Sequence, residues 1–132
     1  MPVSSDQQAA TIIEAIRAKS SEAHKNVERD YDAIMSFYSD EAVLAMPHKK
    51  TAVFGKEAIR AELESYASFG DAVFMEFNAK NTGSGSLVTH TADFQWTSVG
   101  SGHKLKGDLM LTYGEQPDGD WKIIFDRFRI NQ

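Results

Sequence analysis

The second half of the chain alternates apolar and polar side chains, and clusters of turn-forming residues divide it into four segments. The segments span residues 72–81, 86–98, 103–115 and 120–130. Residues 81–85, 99–102 and 116–119 separate them and are rich in types that tolerate positive φ or pre-set a turn. A period of two is typical of strands that have one covered face. Strands joined this tightly are expected to be antiparallel neighbours in one sheet.

Apolar residues in the first half of the chain recur at helical spacing instead. Ser5 and Gln8 resemble a capping box, so a long amphipathic helix is predicted to begin near Asp6. Asp30 is placed to cap a short second helix, and a third helix is predicted from Lys56 to about residue 69. The two halves together predict an α+β fold, in which three helices cover the concave face of a curved antiparallel sheet.

One domain is expected to account for residues 1–132, with residues 1–5 as a flexible N-terminal tail. The reason is that 132 residues with 42% hydrophobic content provide for a single ordinary core. The chain has no cysteine, which excludes disulfides, thiolate metal sites and cysteine nucleophiles. Its stability must therefore come from packing.

Charge and terminal composition exclude several kinds of partner. The net charge of -5 would repel phosphate backbones, and the short basic cluster His48-Lys49-Lys50 is typical of a solvated turn, so no nucleic acid is expected. The N-terminus lacks the pattern of a secretory signal, and no apolar run reaches membrane-spanning length. The sequence therefore predicts a soluble cytoplasmic protein with no membrane partner.

Familiar catalytic and ligand-binding motifs do not occur in the sequence. It contains no glycine-rich phosphate loop after a strand, no His-Glu-x-x-His and no Gly-x-Ser-x-Gly. Its histidines, at positions 24, 48, 90 and 103, lack metal-ligand spacing. Neither a metal nor another cofactor is predicted.

The most specific pattern lies between Phe37 and Ile59. The aromatic pair Phe37-Tyr38 is followed by an acidic turn, a short apolar strand that Pro47 ends, and a helix that opens with Gly55-Lys56-Glu57-Ala58-Ile59. This order resembles the SnoaL-like and ketosteroid-isomerase-like branch of the nuclear-transport-factor-2-like (NTF2-like) superfamily. The resemblance implies a cone-shaped sheet around a pocket, and often a homodimer. Because the superfamily includes isomerases, cyclases, dehydratases and non-catalytic modules, the resemblance leaves the reaction open.

The catalytic positions of ketosteroid isomerases are only partly kept. The resemblance places Met46 where those enzymes have a catalytic aspartate directly before a proline, and a thioether cannot act as the general base. The position of their catalytic tyrosine falls near Glu22, while Asp108 lies close to that of their protonated aspartate. Strand alternation nevertheless turns Asp108 outward. A standard ketosteroid isomerase is therefore not expected, although another cofactor-independent isomerase or lyase is compatible with the sequence.

Strand alternation also assigns the polar anchors of an interior site. It predicts that His90 points inward, where an imidazole suits proton transfer, although a hydrogen-bonded core histidine is the alternative. Arg127 is predicted to point inward too, so it must pair with a carboxylate of the chain or bind an anionic ligand. Internal partners are offered by Asp108, Asp93, Glu62 and Glu22. A bulge in the last strand would instead turn Asp126 inward and Arg127 outward.

Aromatic and apolar side chains supply the walls of the predicted site. Val73, Met75, Phe77 and Ala79 are assigned to the helix-facing side of their strand. The predicted ligand-binding residues are Tyr31, Tyr38, Met46, His48, Phe54, Leu63, Tyr66, Met75 and Phe77. The same set would also form an ordinary filled core.

Two functional hypotheses therefore stand. The first is a small-molecule-binding protein or enzyme that acts on a largely apolar compound by proton transfer, with His90, Arg127 and Asp108 as catalytic candidates. The second is a non-catalytic dimerisation or partner-binding module with a filled cavity. Since Ile124, Phe128 and Ile130 make the outer side of the last strand apolar, a homodimer through the outer sheet face is predicted.

Overall fold

The computed structural model describes residues 2–24, 30–47, 50–65 and 72–131. The helices are α1 (Asp6–His24), α2 (Tyr31–Met35) and α3 (Lys56–Ser65), and the strands are β1 (Tyr38–Ala45), β2 (Val53–Phe54), β3 (Ala72–Ser84), β4 (Leu87–Ser98), β5 (Lys104–Glu115) and β6 (Trp121–Ile130). The predicted starts of all three helices are confirmed, as are the four C-terminal strands to within a few residues. The predicted end of the third helix lies outside the described residues.

All six strands form one curved sheet in the order β2-β1-β6-β5-β4-β3. Neighbours pair antiparallel except β1 and β6, which pair parallel. This pairing places the first long strand beside the last one. The helices and the other strands lie between them in the sequence and supply the long connection that a parallel pair needs. The fold is therefore α+β as expected, with one parallel pairing that tight turns could not have indicated.

The helices pack on the concave face. Asp30 caps α2 by accepting a hydrogen bond from the backbone N–H of Ala33 at 3.1 Å. Helix α1 lies so close to β3 that a side chain at Gly83 would meet the Cβ of Ala9 at 2.8 Å. Along α1, Ala9 and Ile13 are fully buried in the core that this packing creates.

The first residues contact the sheet, where a flexible tail was expected. Val3 is buried and forms a two-way backbone bridge with Gly85, with N···O distances of 2.7 and 2.9 Å. The carboxylate of Asp6 also accepts a hydrogen bond from the N–H of Gly83 at 3.2 Å. This segment therefore covers the end of β3.

The two faces of β3 are the reverse of the prediction. Val73, Met75 and Phe77 lie on the outer face, whereas Phe74 and Glu76 lie opposite Trp96 and Phe94 on the helix-covered side. Ala79, the fourth residue assigned to the helix-facing side, is exposed within the register shift between Phe77 and Lys80. Alternation identifies which residues share a face but not which face is covered. The buried face of β4 decides the matter, because β3 must align with it.

A bulge in β6 exchanges two charged residues. Thr112 pairs with Phe125 and Tyr113 with Ile123, so Ile124 is the extra residue. Beyond the bulge Asp126 points inward and Arg127 outward, which is the alternative considered above. The prediction of an inward Arg127 is therefore wrong.

The same bulge turns Phe128 toward the helices, where its ring meets that of Phe94 edge to face at 6.1 Å. Ile130, which pairs with the buried Gly107, follows the same parity. The predicted apolar outer face of β6 therefore loses two of its three members.

Candidate functional site

A buried carboxylate and phenol lie at the centre of the helix-covered face. Asp126 is 2% exposed and pairs with Leu44 of β1 and Leu111 of β5. The Tyr38 hydroxyl donates to Asp126 Oδ2 at 2.7 Å. Among the described residues, Asp126 Oδ1 is buried and has no hydrogen-bond partner. A buried acceptor of this kind is costly unless a ligand, water or proton satisfies it.

The surroundings of Asp126 bring its titration close to neutral pH. Burial raises the pKa of Asp126 from 3.8 to about 6, although the Tyr38 hydrogen bond and the Arg17 charge act in the opposite direction. Burial and the negative charge of Asp126 raise the pKa of Tyr38 well above its ordinary value. Tyr38 therefore remains a hydrogen-bond donor while Asp126 can hold or release a proton.

His90 points inward as predicted and forms a second polar cluster. Its Nδ1 lies 2.7 Å from Asn81 Oδ1, and its Nε2 lies 2.8 Å from Glu76 Oε1. Each ring nitrogen of His90 therefore has a side-chain oxygen within hydrogen-bond distance. His90 is therefore a hydrogen-bonded core histidine, which was the alternative to a catalytic one.

Arg17 of α1 connects the two clusters. It forms an ion pair with Glu76, donates to the Tyr113 hydroxyl and acts electrostatically on Asp126. Burial raises the pKa of Glu76, but the hydrogen bond from His90 and the charge of Arg17 outweigh it, so the pKa is lowered. Burial raises the pKa of Tyr113 to about 12 despite its contact with Arg17. Arg17 is 30% exposed, so solvent reaches the network through it.

Sequence reasoning missed Arg17 and Glu76, although a signal for Arg17 was available. Arg17 follows Ala9 and Ile13 at intervals of four residues, so it continues the buried stripe of α1. A cation in such a stripe requires an interior partner. Glu76 could not be found in this way, because its strand was assigned to the wrong face.

Arg127 and Asp108 form a pair on the outer face. Arg127 Nη2 donates to Asp108 Oδ1 at 3.0 Å, and Arg129 contacts both oxygens of the same carboxylate at 2.9 and 3.2 Å. Asp108 is one of the four internal partners considered for Arg127. Both residues lie on the side opposite the helices, so they are not part of the Asp126 site.

The predicted wall residues are divided among three environments. Tyr31 is half-buried, and within the described residues its buried hydroxyl has no partner. Met46 and Leu63 are half-buried against the core. Phe54, Met75 and Phe77 are exposed, the last two on the outer face, so they do not line the Asp126 site. His48 and Tyr66 lie outside the described residues.

Two depressions lie on the surface of the described residues, and Asp126 lines neither of them. A groove of about 650 Å³ is lined by Met35, Asp40, Phe54, Gly55, Lys56, Glu57, Ala58 and Arg60. A smaller one of about 300 Å³ adjoins it and is lined by Tyr38, Ser39, Asp40, Lys56, Gln116, Pro117, Asp118 and Lys122. Neither contains Asp126, whose surroundings in the described residues are packed side chains.

The described residues offer neither a metal-ligand cluster nor a membrane-spanning helix. No group of three or more His, Asp or Glu side chains there is arranged to hold a metal ion. No helix among them is long and apolar enough to span a membrane.

Comparison with solved structures identifies the fold. An NTF2-like protein of unknown function from Pseudomonas putida KT2440 superposes with a TM-score of 0.82 at 19% identity, over 96% of this chain and 89% of that one. A ketosteroid isomerase-like protein from Erwinia carotovora atroseptica gives 0.71 at 16% identity, over 92% and 95%. An NTF2-like protein with a cystatin-like fold from Novosphingobium aromaticivorans gives 0.72 at 16%, over 94% and 82%.

These likenesses show that the chain has the NTF2-like, cystatin-like fold, as the Phe37–Ile59 pattern indicated. No protein-family model matches the chain, and no curated protein matches it. Identities below 20% carry the fold alone, so the activity must be argued from the site.

Proposed function

We propose that this protein is a small-molecule-binding enzyme of the SnoaL-like type that transfers a proton through Asp126. The observation that supports it is the Asp126 carboxyl, which is buried, has its pKa raised to about 6, and has an Oδ1 that accepts no hydrogen bond from any described residue. General acid–base catalysis works best when the pKa of the catalytic group lies near the working pH. A carboxyl with these properties can accept a proton and return it within one catalytic cycle.

The neighbouring residues have complementary roles in this proposal. Tyr38 holds Oδ2 and orients the carboxyl, which leaves Oδ1 for the substrate. When Oδ1 removes a proton from carbon next to a carbonyl, negative charge develops on the carbonyl oxygen, and Arg17 is a nearby cation that can stabilise it. Isomerases, cyclases and dehydratases share this step, so the proposal covers all three.

Glu76 and His90 are assigned positioning roles. Glu76 holds Arg17, and His90 holds the other oxygen of Glu76. Since both nitrogens of His90 are occupied, we place proton transfer on Asp126 instead of His90. A substrate would approach along Arg17, which is the exposed end of the network. The expected ligand is small and largely apolar, because the side chains around Asp126 are mainly apolar.

Carbon–hydrogen exchange tests this proposal without knowledge of the full reaction. The protein is incubated in D2O with ketones of aromatic, steroid-like and polyketide-like skeletons, and deuterium incorporation is followed by NMR. We expect protein-dependent exchange in one class of ketone and its loss in Asp126→Asn. An Asp40→Asn variant is the control, because Asp40 is an exposed carboxylate that pairs with Lys56 and is expected to keep the exchange. Equal exchange in wild type and Asp126→Asn would contradict the proposal.

A non-catalytic module is the alternative, and one observation favours it. The residues around Asp126 belong to the packed core, and Asp126 itself lines neither of the two surface depressions. In that case the polar network only ties α1 to the sheet. Absence of exchange in all of these ketones, together with no rise in the melting temperature of the protein in their presence, would favour this alternative.

A further inference from the structure

One edge of the sheet is long and only partly covered. Strand β3 has 13 residues and ends the sheet on one side, whereas β2 ends it on the other with 2. Val3 and Asp6 bind the backbone of Gly83 and Gly85, so the N-terminal segment covers one end of the β3 edge. Residues 73–77 pair with β4, and no described residue pairs with their other backbone edge. Unpaired backbone groups of this kind can pair with another strand.

The side chains of this open stretch are apolar and exposed. On the outer face Val73, Met75 and Phe77 are 54%, 56% and 43% exposed. The one charged member of the stretch, Glu76, turns inward to Arg17. Natural edge strands are usually protected by charges, prolines or bulges. On the outer side of β3 the first such feature is the register shift after Phe77. Residues 73–77 therefore form an edge segment that no described residue protects from pairing with another strand.

We propose that a second copy of this chain pairs with residues 73–77, in antiparallel orientation about a twofold axis at Met75. Each Met75 then faces Met75 of the partner subunit, and each Val73 faces Phe77 of the partner subunit. The sheets of two copies join into one, with the same face outward in both. This proposal is independent of the proposed enzymatic activity.

The choice of occupant rests on self-complementarity. Antiparallel pairing across a twofold axis places residues of one parity opposite each other, so the apolar outer residues meet apolar residues. Pairing about Glu76 would instead place two carboxylates opposite each other, and pairing about Phe74 would leave Phe77 without a partner in the stretch. The register about Met75 covers all three exposed outer residues. The stretch carries no exposed charge that would favour a partner of a different sequence.

The structure also distinguishes this contact from face-to-face packing. The middle of the outer face carries Asp93, Asp108, Arg127 and Arg129, which are charged and belong to no apolar patch. Val73, Met75 and Phe77, which are exposed and apolar, lie together at the β3 edge. Five paired residues on each side bury less than the roughly 800 Å² per partner of a standard interface. We therefore expect a dimer that dissociates on dilution.

Single-cysteine variants test the register, because the natural chain has no cysteine. Met75→Cys should form a disulfide-linked dimer on mild oxidation, and an equal mixture of Val73→Cys and Phe77→Cys should link mainly as the mixed pair. Leu87→Cys is the matched control: Leu87 is 49% exposed but lies away from the open stretch. Equal linking of Leu87→Cys and Met75→Cys would overturn the proposal.

Sedimentation measured over a range of concentrations tests the dimer itself. Wild type should show a concentration-dependent increase in mass, which Met75→Lys should abolish and Leu87→Lys should leave unchanged. Both positions are exposed, so the variants should keep the wild-type melting temperature of the monomer. A wild type that stays monomeric at every concentration, or a dimer unaffected by Met75→Lys, would refute the proposed contact.

Discussion

Replacing Asp126 by Asn should change how the free energy of unfolding depends on pH. The pKa of Asp126 is about 6 in the folded protein, against an ordinary value of 3.8 in the unfolded chain. Below the lower value both states hold the proton, and the carboxyl contributes no pH-dependent difference. As pH rises between the two values, the unfolded state ionises first, so the folded state loses stability relative to it.

The magnitude follows from the size of this shift. Each pKa unit corresponds to about 1.4 kcal/mol, so the loss approaches about 3 kcal/mol above pH 6. Asn removes this loss because it does not titrate, and its carbonyl oxygen can still accept from Tyr38. Its amide leaves a buried donor without a partner, which costs roughly 1–3 kcal/mol at every pH. This constant cost cancels when one pH is compared with another.

Urea unfolding of wild type and Asp126→Asn from pH 4 to pH 8 provides the assay. The stability of Asp126→Asn relative to wild type should rise by roughly 2–3 kcal/mol over this range, mostly below pH 6. Asp40→Asn, which removes an exposed carboxylate, controls for the loss of one charge. Parallel pH profiles for wild type and Asp126→Asn would refute the assignment of a buried carboxyl that titrates near neutrality.

Three other substitutions give distinct results. Tyr38→Phe removes the donor that lowers the pKa of Asp126, so the pKa should rise further and stability at pH 7 should fall by roughly 1–3 kcal/mol in urea unfolding; an unchanged stability would contradict the hydrogen bond. Glu76→Gln should lower the free energy of unfolding by about 3 kcal/mol at pH 7 and by less near pH 4. The pKa of Glu76 is lowered in the folded protein, so its contribution to stability is largest above pH 4.5 and is lost as pH falls. The same loss of stability at both pH values would contradict this role of Glu76. Gly107→Ala should lower the melting temperature strongly, since a Cβ there would lie 1.8 Å from a backbone oxygen of β6, whereas Gly100→Ala, with no atom within 4 Å, should have little effect. Equal melting temperatures for the two alanine variants would show that β6 relaxes around residue 107.

Much of the fold could be predicted because its signals are local. The clusters of turn-forming residues at 81–85, 99–102 and 116–119 separated the four strands, and Asp30 marked the start of α2. Which face of a strand is covered is not a local property. It depends on the neighbouring strand, as Glu76 shows, since it points inward only because β3 aligns with the buried face of β4.

The candidate site was harder to predict because one bulge decides it. Ile124 is the extra residue that turns Asp126 inward and Arg127 outward, and sequence reasoning could only offer this as one of two registers. A carboxylate and a guanidinium that stand next to each other exchange faces when the register changes by one residue. The interior chemistry therefore depends on a feature that composition and alternation do not reveal.

Ligand binding at Asp126 is tested most directly by melting temperatures of wild type and Asp126→Asn at pH 7, against a panel of aromatic, steroid-like, polyketide-like and acidic compounds. A ligand that binds only the folded state raises its melting temperature. The proposed function predicts a saturable rise for at least one class of compound in wild type, and a much smaller rise in Asp126→Asn. No rise with any class, or the same rise in both proteins, would contradict a functional site at Asp126.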